Sequence, residues 1–149
     1  MIETVGPHNL QLILPLIRQY QQFYQVAVID DAKNQTFFSQ FGPDQPQGCQ
    51  FVYMNEGVPT GFATLYFSFS STLAEKVGVM NDLYVLPECR GGGMGKALIQ
   101  HCLDYALKQG AYRLQWTTAM DNLVAQSTYN ALNTQSKPWL FYTYRGEQN

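Results

Sequence analysis

Residues 81–98 read NDLYVLPECRGGGMGKAL, and this stretch decides which fold the chain can adopt. Leu83, Tyr84 and Val85 are typical of a buried strand, because apolar and aromatic side chains fit its pleated surface. Pro87 cannot donate a hydrogen bond to a sheet, so the strand should end near it. Glycines and then helix-forming residues follow. The sequence therefore predicts a strand, a glycine loop and a helix in direct succession.

The loop between this strand and helix has the properties of an anion site. Its glycines allow positive φ angles and close approach of a ligand to the backbone. The first turn of the following helix presents unpaired N–H groups and the positive end of the helix dipole. Arg90 adds a fixed positive charge with several donors, which suits a phosphate ester. The glycines are Gly91, Gly92, Gly93 and Gly95.

Two common nucleotide-binding loops have requirements that this loop does not meet. A P-loop needs Gly-Lys followed by Ser or Thr to hold magnesium, but Ala97 follows Lys96. A dinucleotide-binding loop needs a third glycine after Gly91 and Gly93, where Lys96 stands. A second interpretation is a flexible surface loop before an ordinary helix, because glycine loops are common.

The composition is that of a chain with one hydrophobic core. Hydrophobic residues make up 46% of the 149 residues, and a chain of this length usually forms one domain. We therefore expect a single domain over residues 1–149. Nine basic and eleven acidic residues give a net charge of −2, and lysine and arginine form no cluster that could follow a nucleic-acid backbone. No nucleic-acid partner is expected.

Cysteine usage and the N-terminus predict the compartment. Cys49, Cys89 and Cys102 are an odd number, widely spaced and without a CxxC pair, so neither a disulfide framework nor a zinc site is implied. The N-terminus lacks the basic start and apolar core of a secretory signal, and no run approaches the ~18 apolar residues of a membrane span. We predict a cytoplasmic protein without a metal site or a membrane partner.

Hydrophobic periodicity predicts the elements of the N-terminal half. A short strand is expected at residues 2–5, and a helix at residues 9–26 that Pro15 should kink or shorten. Residues 30–47 are polar and turn-rich, with room for a short helix, and a segment of this kind is a candidate wall of the acceptor site. Residues 49–54 and 60–69 predict a hairpin, and residues 77–85 predict a further antiparallel strand.

Strands and helices alternate in the C-terminal half. Residues 94–109 predict a helix that Gly110 ends in a left-handed conformation. A strand at residues 112–118, a helix at 123–132 and a final strand at 139–144 are expected to follow. This order predicts an α/β fold (mixed α+β) in which helices cover both faces of a mixed sheet.

Two motifs resemble those of the GNAT superfamily of acetyl-CoA-dependent N-acetyltransferases. The family's loop has Arg or Gln, two residues, Gly, one residue, and Gly or Ala, which Arg90, Gly93 and Gly95 match. Its second motif is an Asn after the next strand and a Tyr seven residues later, which Asn122 and Tyr129 match. The likeness is close over residues 77–144 and strongest to the small-amine and polyamine branch, including the yeast histone and polyamine acetyltransferases. It implies a mostly antiparallel, twisted sheet of six to seven strands.

The sequence departs from the family pattern at two positions. Asn133 stands where the family usually has glycine, and asparagine tolerates the left-handed conformation. Asn81 precedes Asp82 where the polyamine branch often has an acidic residue. The identity of the general base is therefore open.

The resemblance implies acetyl-CoA as the cofactor. Its pyrophosphate would lie on the amides of the glycine loop, and its pantetheine arm would lie along the preceding strand. The residues implied to bind it are Leu83, Tyr84, Val85, Arg90, Gly91, Gly92, Gly93, Met94, Gly95, Lys96, Asn122 and Tyr129.

The resemblance also implies that an amine attacks the thioester directly. Tyr129 would protonate the departing thiolate, and the backbone N–H of Val85 would stabilise the developing oxyanion. Asp82 is the base that removes a proton from the amine, or it binds the cationic substrate, or it merely caps the end of a strand. Tyr24 and Tyr66 would complete the acceptor site with Asp82.

The expected activity is transfer of an acetyl group to a primary amine of a small molecule, such as a polyamine, an amino acid or an amine antibiotic. A protein lysine or N-terminal acetyltransferase stays open as an alternative, and so does a non-catalytic sensor that binds acyl-CoA. A homodimer is a further expectation from the resemblance.

Overall fold

The computed structural model describes residues 1–43 and 45–147, so Asp44, in the segment predicted to border the acceptor site, lies outside the described residues. The chain divides into two compact units, Met1–Thr117 and Thr118–Asn149. The first unit holds a sheet with three α-helices, and the second unit holds one α-helix.

The sheet has five strands that follow one another in chain order. Neighbouring strands are antiparallel, except the last pair, which is parallel. The mixed sheet and the predicted hairpin are therefore confirmed. The strands are β1 (Ile2–Thr4), β2 (Gly48–Asn55), β3 (Val58–Ser70), β4 (Glu75–Val85) and β5 (Leu114–Gln115).

The helices are α1 (Leu10–Phe23), α2 (Asp31–Phe38), α3 (Met94–Lys108) and α4 (Leu123–Asn130). Pro15 does not end α1, which continues through it. A short 3-10 helix, Pro87–Cys89, leads from β4 into the glycine loop. Gly110 follows α3 with a φ of +89°, which confirms the predicted left-handed residue. Within the described residues, no helix is both long and apolar enough to cross a membrane.

The prediction of six to seven strands is wrong, because five strands form among the described residues. The strand expected at residues 112–118 is reduced to Leu114–Gln115, since β5 pairs with β4 at two positions. Residues 139–144 form no strand, and Phe141 in this segment is 91% exposed. Alternating aromatic residues do not suffice here, because a strand also needs a neighbour that exchanges hydrogen bonds with it.

Helices cover both faces of the sheet, as predicted. Phe62 of β3 packs in a core cluster with Ile17 of α1 and Phe38 of α2. Successive residues of a strand face opposite sides, so Ala63 faces the side on which α3 packs and on which Leu98 is buried. The middle of β4 therefore lies between two helical layers, where a polar side chain is shielded from water.

Candidate active site

The register between β3 and β4 shifts by one residue at Asn81. Met80 pairs with Leu65 and Asp82 pairs with Thr64, so Asn81 is the extra residue of a β-bulge. Side chains along a strand alternate between faces, so without the extra residue Asp82 would share the face of Met80. The bulge instead turns the Asp82 side chain towards α1, which contacts it.

Asp82 is a buried carboxyl group, 6% exposed, that accepts hydrogen bonds from uncharged side chains. The hydroxyl of Tyr20 donates to its Oδ1 over 2.8 Å, and Nδ2 of Asn81 donates to the same oxygen over 3.0 Å. The side chain of Thr64, opposite on β3, is a third partner. Burial raises the pKa of Asp82 above its usual value, and the three hydrogen bonds oppose this rise. Asp82 therefore combines a raised proton affinity with a fixed position.

Thr64 is in turn held by Gln50 from the neighbouring strand. Nε2 of Gln50 donates to Oγ1 of Thr64 over 2.9 Å. Gln50 pairs with Thr64 and Thr64 pairs with Asp82, so the three side chains form a polar row across β2, β3 and β4. Among the described residues, none forms a hydrogen bond with the buried Oε1 of Gln50.

Three aromatic rings pack against the ring of Tyr20, whose hydroxyl bonds to Asp82. The ring of Tyr20 lies edge-on to the rings of Tyr24, Phe62 and Tyr84, with centroids 4.9, 5.6 and 6.0 Å away. These contacts fix the direction of the Tyr20 hydroxyl. Tyr24 is 56% exposed, so the aromatic cluster has a side that is open to solvent.

Tyr66 approaches the same carboxyl group from β3. Burial, together with the nearby charge of Asp82, raises the pKa of Tyr66 to about 12. The Tyr66 ring packs 5.3 Å from that of Phe41, which belongs to the segment predicted to border the acceptor site. Tyr24, Tyr66 and Asp82, the three residues predicted for that site, all interact with Tyr20. The structure therefore brings them together.

The glycine loop and the start of α3 fit an anionic group. Gly91 and Gly93 have φ angles of +88° and +85°, which residues with a side chain rarely adopt. No side chain caps α3, whose Ala97 N–H bonds to the carbonyl of Gly93. The amides that precede Ala97 are those that helix geometry leaves for a ligand, which suits the diphosphate of coenzyme A. Three residues predicted to bind the cofactor occupy this turn, namely Met94, Gly95 and Lys96.

Arg90 is anchored to the end of β4. Its Nε donates to the carbonyl oxygen of Val85 over 2.9 Å. Its guanidinium lies 5.7 Å from the ring centroid of Tyr84 and 5.8 Å from that of Phe23, within the range of cation–π contacts. The predicted positive charge therefore sits beside the strand end, where it also ties the loop to the aromatic cluster. Contact between Arg90 and a phosphate stays a prediction.

Pairing between β4 and β5 ends at Val79 and Gln115, and β5 itself ends there. A strand that continues without a neighbour leaves backbone N–H and C=O groups on its edge, and an extended ligand can bind to such an edge as an added strand. The residues predicted to hold the pantetheine arm, Leu83, Tyr84 and Val85, continue β4 beyond this point. A cavity of about 90 Å³ lies next to the last paired positions, lined by Val79, Met80, Asn81, Gln115, Trp116 and Thr117.

In the second unit, Asn122 and Tyr129 stand at the two ends of α4. Oδ1 of Asn122 accepts a hydrogen bond from the N–H of Ala125 over 3.2 Å and so caps the helix. Tyr129 is half-buried, and its carbonyl oxygen accepts a hydrogen bond from the hydroxyl of Thr134 over 2.8 Å. The capping role of Asn122 is new, whereas the predicted roles of Asn122 and Tyr129 towards the cofactor stay predictions.

Comparison with known proteins identifies the family. Residues 14–133 match the family model described as "Acetyltransferase (GNAT) family". The chain belongs to the GNAT family. It is 32% identical over 117 residues to the uncharacterized N-acetyltransferase YhfO of Bacillus subtilis (strain 168), and the match covers 78% of this chain and 77% of that protein.

The chain is also similar to a second relative and to a solved structure. A thialysine N-epsilon-acetyltransferase of Bos taurus is 30% identical over 109 residues, which cover 70% of this chain and 59% of that protein. A crystal structure of a probable acetyltransferase has a TM-score of 0.85 at 26% identity, and the match covers 100% of this chain and 99% of that one.

Membership of the GNAT family confirms the predicted enzyme class and cofactor. GNAT proteins are acetyltransferases that use acetyl-CoA, so this chain is an acetyl-CoA-dependent N-acetyltransferase. Within the described part of the chain, no group of three or more His, Cys, Asp or Glu residues could hold a metal ion.

Three polar residues at this GNAT site were not predicted from the sequence. Tyr20 lies on the apolar face of α1, and helical periodicity does not show which group its hydroxyl will meet. Thr64 alternates with apolar residues, so it resembles an ordinary strand residue. Gln50 stands between apolar residues of β2, and this contrast is the one sequence signal that indicates a buried polar contact.

Proposed function

We propose that this protein transfers the acetyl group of acetyl-CoA to a primary amine of a small molecule. The observation that carries the proposal is the buried carboxyl group of Asp82, which is hydrogen-bonded to Tyr20 and close to Tyr66, while Tyr24 packs on Tyr20. A carboxylate attracts an alkylammonium ion, and aromatic rings bind its charge through cation–π contacts. The relative that is named for thialysine supports a small amine as acceptor.

The acceptor amine must lose a proton before it attacks. An alkyl amine has a pKa of about 10.4, so it is mostly protonated at neutral pH. Asp82 can first bind the ammonium ion and then take its proton, directly or through a water molecule. Burial raises the pKa of Asp82, which makes it a better proton acceptor than an exposed carboxylate. Binding and proton removal are thus successive roles of one group.

Bound acetyl-CoA supplies the activated acetyl thioester. The amides of the first turn of α3 bind the diphosphate, and residues 83–85 of β4 bind the pantetheine arm. The N–H of Val85 stabilises negative charge on the acetyl oxygen, and Tyr129 donates a proton to the leaving sulfur. Arg90 and Lys96 add positive charge on the side of the diphosphate.

The acceptor class is tested by measuring the release of free coenzyme A with a panel of acceptors. The panel contains polyamines, amino acids with side-chain amines, aminoglycosides and lysine-containing peptides, and the acetylated products are identified by mass. We expect at least one small amine to exceed every peptide in kcat/KM by about tenfold or more. Faster acetylation of peptides would favour a protein acetyltransferase, and acyl-CoA binding without transfer would favour a sensor. Either result would contradict the proposal.

We further propose that the chain acts as a single catalytic domain, in the cytoplasm and as a homodimer. Its three cysteines are free, which suits a reducing compartment. Trp139 and Phe141 belong to a run of exposed aromatic residues near the C-terminus, and exposed apolar patches often mark contacts with another chain. The partners in this proposal are a small-molecule amine and a second copy of the chain.

A further inference from the structure

We propose that Tyr20 and Thr64 are positioning residues that hold the carboxylate of Asp82 in one orientation, ionised and ready for the acceptor amine. The kinetic consequences rest on the function proposed above. The pKa of Asp82 depends only on the contacts among these side chains. It can therefore be measured without a substrate.

Tyr20 reaches Asp82 from the helical layer. Its hydroxyl donates to Oδ1 over 2.8 Å, and its ring makes edge contacts with those of Phe62 and Tyr84. Tyr20 is half-buried, and its hydroxyl is directed at the carboxyl group that the β4 bulge turns towards α1. The bond joins two layers of the fold, so it fixes the rotamer of Asp82 more firmly than a contact within one strand would.

Thr64 reaches the same carboxyl group from within the sheet. Its Oγ1 already accepts a hydrogen bond from Nε2 of Gln50, so its hydroxyl proton is directed away from Gln50 and towards Asp82. Thr64 therefore links Gln50 on β2 to Asp82 on β4 across the sheet.

Both hydrogen bonds favour the carboxylate over the neutral acid. Burial has the opposite effect, so the donors lower a pKa that would otherwise be higher still. Other titratable groups around the pair are Tyr66 on β3 and Tyr24 on α1, and Asn81 contributes an uncharged donor from β4. Removal of either positioning hydroxyl should therefore raise the pKa of Asp82.

The test uses Tyr20→Phe and Thr64→Val, which remove one hydroxyl each and keep the shape of the side chain. The pKa of Asp82 is measured in the unliganded protein by the ¹³C shift of its labelled carboxyl carbon, assigned with Asp82→Asn. Loss of one hydrogen bond to a charged group should raise this pKa by about one to two pH units. The acid limb of the plot of kcat/KM against pH should shift to higher pH by the same number of pH units.

Matched controls separate positioning from packing. Thr64→Ser restores the hydroxyl and should return the pKa of Asp82 to the wild-type value. Thr60→Val removes a buried hydroxyl of the same strand that donates to the carbonyl of Tyr53, and Tyr112→Phe removes an exposed one. Neither control should move the pKa of Asp82.

Two results would overturn the proposal. One is an unchanged pKa of Asp82 in folded Tyr20→Phe and Thr64→Val proteins. The other is a loss of activity that is equal at every pH, which would indicate packing alone. If wild-type protein acetylated no amine, the proposed function would fail, whereas the carboxyl titration would still decide the role of Tyr20 and Thr64.

Discussion

Asp82 is kept buried and yet able to carry a charge. The donors that contact it, from Tyr20, Asn81 and Thr64, are uncharged, so the ionised carboxyl keeps its net negative charge. A partner with a positive charge would cancel the attraction between Asp82 and the proposed alkylammonium substrate. The same arrangement destabilises the fold, because an ionised group has been taken out of water.

The burial of the ionised Asp82 carboxyl group predicts how the free energy of unfolding depends on pH. The pKa of Asp82 is higher in the folded protein than the value near 3.9 expected for an unfolded chain, so the folded state binds the proton more tightly. The stability that Asp82 contributes is therefore complete below the unfolded pKa and is lost as pH rises through the folded pKa. Asp82→Asn should be more stable than wild type at neutral pH, and this difference should vanish in acid.

Denaturant midpoints of both proteins, measured across the acid to neutral range, check this expectation. The difference between the two curves isolates Asp82, because the other carboxyl groups titrate in both proteins. A difference that grows towards low pH would show that the folded-state pKa of Asp82 is depressed.

Tyr129 gives a second test at a single side chain. If its hydroxyl protonates the leaving thiolate, Tyr129→Phe should lower kcat by about 10- to 1000-fold and leave the affinity for coenzyme A nearly unchanged. Tyr112→Phe, on an exposed tyrosine, serves as the control for the loss of a phenol. Wild-type turnover of Tyr129→Phe at saturating substrate would remove this residue from the mechanism.

The sequence predicts three residues of the acceptor site but not the contacts that they make. Tyr24, Tyr66 and Asp82 were predicted for the acceptor site, and the structure groups them around Tyr20. The extra residue at Asn81 was not predictable, because a bulge is defined by the register with another strand. The bulge determines which face of the sheet carries the Asp82 side chain. The hydrogen bond between Asp82 and Tyr20 of α1 was therefore not predictable either.

The succession of strand, glycine loop and helix was predictable because its signals are local. Proline ends β4, glycines allow positive φ angles, and the first turn of α3 follows directly. The strand expected at residues 139–144 depended instead on a neighbour that its own residues do not specify. Long-range pairing decided where the prediction failed, as it also did for the shortened β5.

The glycine loop predicts a conformational effect on cofactor affinity. Gly93 has a φ of +85°, and a Cβ added there would meet no atom within 4 Å beyond its chain neighbours, so a side chain meets backbone strain rather than a clash. Gly93→Val should shift the loop amides and weaken coenzyme A binding in calorimetry by about tenfold or more. Gly110→Val is the matched control, because Gly110 has a φ of +89°, is equally open, and lies beyond the other end of α3.

The control should lose stability but keep its affinity for coenzyme A. Wild-type affinity of Gly93→Val would show that the diphosphate does not depend on this loop. Equal loss of affinity in both variants would show only that general destabilisation weakens binding.

For the whole molecule, family membership gives the reaction, and the C-terminal segment raises the question of assembly. If residues 139–144 contact a second copy, light scattering should give twice the mass of one chain, and Phe141→Asp should reduce it to the mass of one. Val28→Asp changes an exposed apolar residue in the first unit and should leave the dimer intact. A wild-type protein that is monomeric at micromolar concentration would rule out the proposed homodimer.

Proton removal by Asp82 is the central step of the proposed acetyl transfer to a small amine. Its direct test is the rate of acetylated amine formation by wild type and Asp82→Asn, followed by mass spectrometry from acid to alkaline pH. We expect Asp82→Asn to be slower by about 100-fold or more at neutral pH, and to recover as pH approaches the amine pKa of about 10.4. A wild-type rate and pH profile in Asp82→Asn would contradict the account.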